Sequence, residues 1–284
     1  MKFLDRLFVL LFNLCLLLVS ITLPVFALTA SPSFYHTQFQ ATGIYATQNA
    51  DGEKTPTTIY FIDGNSNLTA QFTDEQIDVM VDNILSYLFT DQQSFVLVMD
   101  DVLLNGTSTD GVSVFGEVAV GHMVDVKNLF TFFIVLTVAL LLVLLVSGVY
   151  LFYRRAETGK LLLKYSLLFY GFFIALLGAF CLWVISDLNA AGRAITVDNF
   201  LDRLWSNFHH ILFPFQADKF SNSFFNDTLT QILTLDFFMA AVFTVLLVAG
   251  IVLAVWFAFC IFTKIRSKKG VRIAPPKAKR KGWK

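Results

Sequence analysis

The chain reads as an integral membrane protein, with an all-α core of four transmembrane helices and a small extracytoplasmic α+β domain. Three observations predict this. Hydrophobic residues make up 56% of the chain and charged residues only 15%, against roughly 25% charged in soluble domains. Four apolar runs, 7–28, 129–153, 161–185 and 237–262, each meet the length of about 20 residues needed to cross a hydrocarbon core of about 30 Å. Finally, a formal net charge of zero is the sum of opposed regions. Lys2 and Arg6 precede the first run, Arg154, Arg155, Lys160 and Lys164 cluster between the second and third, and ten basic residues with no acid follow the fourth, whereas 29–128 carries thirteen acids against two lysines. Basic residues favour the cytoplasmic side, so both termini are expected inside the cell membrane.

The predicted organisation follows in order. Residues 1–28 form the first helix with a short cytoplasmic N-terminus, and 29–128 the extracytoplasmic α+β domain. Helices at 129–153 and 161–185 are joined by a cytoplasmic loop at 154–160. An extracytoplasmic interfacial segment at 186–236 leads to the last helix, 237–262, and to a basic tail, 263–284. The first run has a basic start and small residues near Ala27 and Ala30, as a cleaved signal would. Its length of 22 residues exceeds the 7–15 of a signal h-region, so it reads as an anchor. Lys164, the one ionised side chain inside a run, is near its end and can extend its ammonium to the headgroups. The basic tail reads as a topology anchor drawn to anionic lipid, in preference to a nucleic-acid site. Cys15, Cys181 and Cys260 all lie inside runs, which argues against a disulfide framework or a cysteine zinc site in the water-exposed part.

Within 29–128, residues 38–48 and 57–62 have strand character, and Asp63-Gly64-Asn65 signals a turn. Thr73-Asp74-Glu75-Gln76 has the capping-box form. The helix after it, to about Leu88, sets Ile77, Val81, Ile84, Leu85 and Leu88 on one face. Residues 94–99 and 112–120 read as further strands. In the second segment Phe200, Leu201, Leu204, Trp205 and Phe208 recur at helical spacing, as in an amphipathic helix lying in the membrane interface. His209 and His210 follow, before Pro214 breaks the run.

Three of the four histidines stand close to one predicted membrane face. His122 precedes the second span by seven residues, and on a helix Asp125 would share its face. A carboxylate there can fix the imidazole tautomer and leave the other nitrogen as a base. The plainer reading is a solvated His–Asp–Lys run. His209 and His210 point about 100° apart on a helix, so one of them can face a given pocket. His36, in Phe34-Tyr35-His36, fits an aromatic belt.

The Gly121–Lys127 run with its His-Met-x-Asp-Val-Lys core, Phe208-His209 followed by Phe213 and Pro214, and the spacing of Asp227, Leu229, Phe237 and Phe238 resemble the bacterial lipoprotein intramolecular transacylase family. The four-span layout agrees. The chain departs from that pattern at 215–220, where a tryptophan is expected, and at Thr234-Leu235, where a proline is expected. The resemblance implies transfer of an acyl chain from the diacylglyceryl group of a lipoprotein's N-terminal cysteine to that cysteine's own α-amino group, giving lyso-form lipoprotein. The substrate is then a diacylated lipoprotein or lipopeptide in the outer leaflet, among membrane lipids, with no cofactor. His122 and His209 are the expected acid and base; Asp125 would orient His122, Lys127 or Arg193 would steady an oxyanion or phosphate, and His210 would contact headgroups or water. Two rivals are weighed against this. A zinc site of His122, His209, His210 and Asp125 suits the ligand types, but HExxH-like spacing is missing. A non-catalytic receptor or sensor with an extracytoplasmic ligand-binding domain fits composition alone, and the paired motifs favour the enzyme.

Overall fold

The computed structural model describes residues 3–45, 56–60, 68–212 and 227–268. In chain order the elements are α1 (Phe3–Thr29), α2 (Pro32–Thr42), β1 (Thr57–Tyr60), β2 (Thr69–Phe72), α3 (Asp74–Phe89), β3 (Val98–Met99), β4 (Val102–Leu104), β5 (Thr107–Thr109), β6 (Val112–Ser113), α4 (Glu117–Tyr153), α5 (Arg155–Ala190), α6 (Val197–Leu212), α7 (Thr228–Ile232) and α8 (Leu235–Lys268). Four helices, α1, α4, α5 and α8, are long and apolar enough to cross a membrane. The protein is a multi-pass membrane protein.

Lipid gives helices little hydrophobic reason to associate, so small residues and interhelical hydrogen bonds hold such bundles together. Both devices are present. At Gly148 of α4 a Cβ would stand 3.2 Å from the Phe12 ring of α1, so glycine permits the close approach. Phe8 stacks on Tyr150 at 4.2 Å between ring centres. Asn13, fully buried in α1, accepts hydrogen bonds from the Ser166 hydroxyl of α5 at 2.9 Å and the Trp256 indole of α8 at 3.0 Å. Near the start of α1, buried Asp5 accepts from the Tyr150 hydroxyl at 2.8 Å and pairs with Arg154 at 3.5 Å.

The remaining described elements are six short strands and the helices α2, α3, α6 and α7. Strands β1, β2, β4 and β5 make an antiparallel sheet in that order, and β3 pairs separately with β6. Asn105 and Gly106 take φ of 48° and 82° between β4 and β5, the left-handed pair that a two-residue hairpin turn requires. The capping box on α3 is complete: Gln76 N–H donates to the Thr73 hydroxyl, and the Gln76 side chain accepts from Thr73 N–H. Ile77, Val81, Ile84 and Leu88 are buried as expected, with Leu85 partly so. The core they build does not close on itself. It continues into Ala119 and Met123 of α4, Leu229 and Ile232 of α7, and Phe237 of α8.

Several local expectations change. Residues 38–42 are helical, because α2 starts with Pro32 in its first turn and stops at Gly43 in the left-handed conformation. Tyr35 and Phe39, one turn apart, bury that helix's inner face. Of 112–120 only Val112–Ser113 is strand; Gly116 caps a helix that begins at Glu117. Likewise 94–99 yields only Val98–Met99. The turn expected at Asp63-Gly64-Asn65 lies outside the described residues, as do Pro214, the 215–220 departure and most of the basic tail.

Candidate active site

Helix α4 runs unbroken for 37 residues, so its first dozen residues stand about 18 Å clear of the apolar run that begins at Leu129, by the rise of an α-helix. His122 lies on this extension, about 10 Å from Leu129 along the axis. Its ring is buried, at 8% exposure, between Ala119 and Met123 of the domain core in sequence. Asp125 follows one turn later and acts on α3: burial first, and then the Asp125 charge, push the Tyr87 hydroxyl above its ordinary pKa. Lys127 also turns to α3. Its ammonium donates to the carbonyls of Thr90 at 3.2 Å and Gln92 at 2.6 Å and sits 4.5 Å from the centre of the Tyr87 ring. That lysine therefore ties the C-terminal end of α3 to α4, where sequence alone assigned it to an oxyanion or phosphate.

His209 arrives from a different direction. Helix α6 is the amphipathic helix expected from its aromatic spacing, and it packs on α5. Arg203 and Asp187 join the two helices at 2.5 Å. On α6, His209 Nδ1 lies 3.0 Å from the carbonyl of Trp205, one turn back. A carbonyl oxygen only accepts, so in this contact Nδ1 carries the proton and Nε2 keeps its lone pair. The Trp205 ring meets the His209 ring edge-on at 4.2 Å, and itself lies 4.5 Å from Phe238 at the start of α8. One of the two phenylalanines that sequence marked by pattern thus braces a histidine through a tryptophan. Thr234, where a proline was expected, accepts the Phe237 amide at 3.4 Å and so caps α8.

The two elements converge. The rings of His122 and His209 are 6.4 Å apart between centres and inclined at 30°. Two imidazoles at that separation can serve neighbouring atoms of one reacting group, one taking a proton and the other giving one. Arg193 is exposed in the turn between α5 and α6. The His210 backbone is part of α6, and its side chain lies outside the described residues. Among the described residues no three His, Cys, Asp or Glu side chains group as a metal site would.

Three features escaped the sequence reading. The Trp205 carbonyl and ring as the support of His209 were discoverable from the i, i+4 spacing. Asp227, 2% exposed, accepts the Leu229 amide at 2.8 Å with one oxygen and the Gly116 amide at 2.8 Å with the other; nothing in the sequence links these positions. His36 belongs to a polar cluster in place of the expected belt. Its Nδ1 contacts the Tyr45 hydroxyl, which donates to Asp78. Burial, followed by the Asp78 hydrogen bond and the charges of Asp78 and Asp74, raises the Tyr45 pKa.

Comparison with known proteins fits this architecture. The family model for the lipoprotein intramolecular transacylase Lit matches residues 7–238. The solved structure of the membrane integral lipoprotein intramolecular transacylase Lit from Bacillus cereus is 16% identical, with a TM-score of 0.58 over 94% of this chain and 99% of that one. Two variants of that Bacillus cereus protein are also similar. One has a histidine replaced by alanine (18% identity, TM-score 0.58, 94% and 96% of the two chains). The other has a histidine replaced by arginine (19%, 0.56, 94% and 94%). At these identities the structures establish a common fold. A search of curated protein sequences gives no match. With the family model spanning most of its length, the chain belongs to the lipoprotein intramolecular transacylase family, and it is a membrane acyltransferase.

Proposed function

We propose that His122 and His209 are the acid–base pair of this enzyme. They act at the extracytoplasmic face on a diacylated lipoprotein held in the outer leaflet. The α-amino nitrogen of the N-terminal cysteine attacks an ester carbonyl of its own glyceryl group. A C–N bond forms, one imidazole takes the proton from nitrogen, the C–O bond breaks, and the other imidazole protonates the departing glyceryl oxygen. Ester and amine become alcohol and amide, with no acyl-enzyme. Because both reactants belong to one molecule, holding them in register can supply roughly 7–11 kcal/mol of the barrier in well-oriented cases. The enzyme then needs little beyond orientation and proton handling.

The observation that carries this reading is the 6.4 Å separation of two imidazoles from distant segments. The proton on His209 Nδ1 leaves Nε2 to accept a proton, and to give one once it is protonated. The distribution of basic residues supports an N-in, C-in orientation. On this reading residues 29–128 are an extracytoplasmic domain, with 186–236 an interfacial segment beside it. Mass spectrometry of lipopeptides from cells making His122→Ala or His209→Ala tests the assignment. Loss of the N-acylated, singly O-acylated form, with the protein still present in the membrane, is the expected result. Normal modification by both variants overturns it.

A further inference from the structure

We infer that Asp227 is a positioning residue that holds the two histidine-bearing parts of the molecule in register. The inference rests on the reading of His122 and His209 as the working pair. Asp227 is buried, and it touches both sides of the site. Its Oδ2 accepts the amide of Gly116, 111 residues away, which is the N-cap of α4. His122 follows on the same helix, less than two turns later. Its Oδ1 accepts the amide of Leu229 and caps α7. From α7 the chain enters α8, where Phe238 lies against Trp205 and Trp205 supports His209.

A single carboxylate therefore bonds the start of one histidine's helix to the segment that braces the other. Carboxylate bonds to backbone N–H groups are charge-assisted and short, and burial removes competing water. The four N–H groups at a helix start have no partner within the helix, so Gly116 offers a donor that an external carboxylate can claim. Leu229 and Ile232 of α7 are buried in the same core as Ala119 and Met123 of α4, so the two helices also share apolar packing. The Gly116 and Leu229 partners of Asp227 are both backbone amides. Its effect on the reaction travels through the geometry of its two backbone partners.

Capping and cross-linking can be separated by substitution. Asp227→Ser keeps an N-cap residue for α7, since serine caps about as well as aspartate, but its short side chain does not span to Gly116. Asp227→Asn keeps the shape and the cap, and presents an amide N–H₂ in place of the second acceptor. Wild type, both variants, His122→Ala and His209→Ala are purified and assayed on a synthetic diacylated lipopeptide in detergent, with thermal midpoints measured alongside. The expected result for Asp227→Ser and Asp227→Asn is a kcat at least about tenfold lower, as misplaced catalytic groups cause. KM should stay within about twofold, because substrate binding is untouched. If Asp227→Ser does not fold, Asp227→Asn decides alone. A kcat within twofold of wild type in the folded variants makes Asp227 only a helix cap and overturns the inference. So does a KM that rises in step with the fall in kcat, which would put the carboxylate against substrate. Full activity in His122→Ala and His209→Ala overturns the acid–base assignment itself, whatever the Asp227 variants do.

Discussion

The two histidine-bearing helices are held in opposite ways. His122 stands on α4, a continuous helix that both crosses the bundle and enters the domain core, and its flank is pinned by Lys127 on the carbonyls of Thr90 and Gln92. His209 stands on α6, a 16-residue helix attached by an ion pair to α5 and by an aromatic stack to α8. One imidazole is fixed by the fold itself. The other is fixed by a few side chains. The site is therefore expected to lose activity through α6 much more readily than through α4.

The sharpest way to break that contrast is at Trp205. Trp205→Ala removes the ring that separates His209 from Phe238, and kcat on the lipopeptide should fall roughly 10- to 100-fold, as small displacements of catalytic groups do. Trp205→Phe, which keeps a stacking ring and the backbone carbonyl, should keep most of it. Equal activity in both variants would mean that the stack does not hold His209. On the α4 side, Lys127→Met deletes two charge-assisted bonds. Thermal denaturation should reveal a loss of about 1–3 kcal/mol, with kcat changed far less than by Trp205→Ala. A larger effect on kcat than on stability would restore Lys127 to the chemistry.

Next in size is alkaline stability. The Tyr45 hydroxyl, buried and donating to Asp78, has a folded-state pKa above that of the unfolded chain. Its contribution is complete below the unfolded value of about 10 and is lost as pH rises beyond it. Tyr45→Phe should lower the melting temperature in the neutral region, where that contribution is complete, and flatten the alkaline limb of a melting-temperature series. The smallest expected change is at Arg203. The Arg203–Asp187 pair is partly exposed, and such pairs contribute about 0.2–1 kcal/mol. Arg203→Gln should lower kcat less than Trp205→Ala does.

Different physical signals explain what the sequence revealed. The spans were legible because each is a continuous apolar run, a signal that depends on no other part of the chain. The capping box at Thr73 was legible for the same reason, since both of its bonds close within four residues. Strand character at 38–48 was misleading. Its loose alternation also suits a helix end, and Ser31-Pro32 before it with Gly43 inside it are start and stop signals of the kind that outweigh alternation. The segment 112–120 failed similarly, because apolar residues there serve a strand and then the first turns of α4. The histidine pair was found through its motifs. The contacts around it were not, because Asp227 with Gly116, and Lys127 with Thr90 and Gln92, meet only after the chain folds.

The unbroken course of α4 has a consequence for which lipid bonds the enzyme can reach. A rigid rod anchored in hydrocarbon works as a depth gauge: it sets His122 at one elevation, about 10 Å beyond the start of the apolar run. A glyceryl ester floats at a level dictated by its own acyl tails. With His122 as the proposed acid or base, only bonds carried at the matching level would meet the imidazole, and the bilayer itself would help select the substrate. Lengthening the rod by one turn would raise the histidine by about 5.4 Å, which on that proposal should abolish transfer.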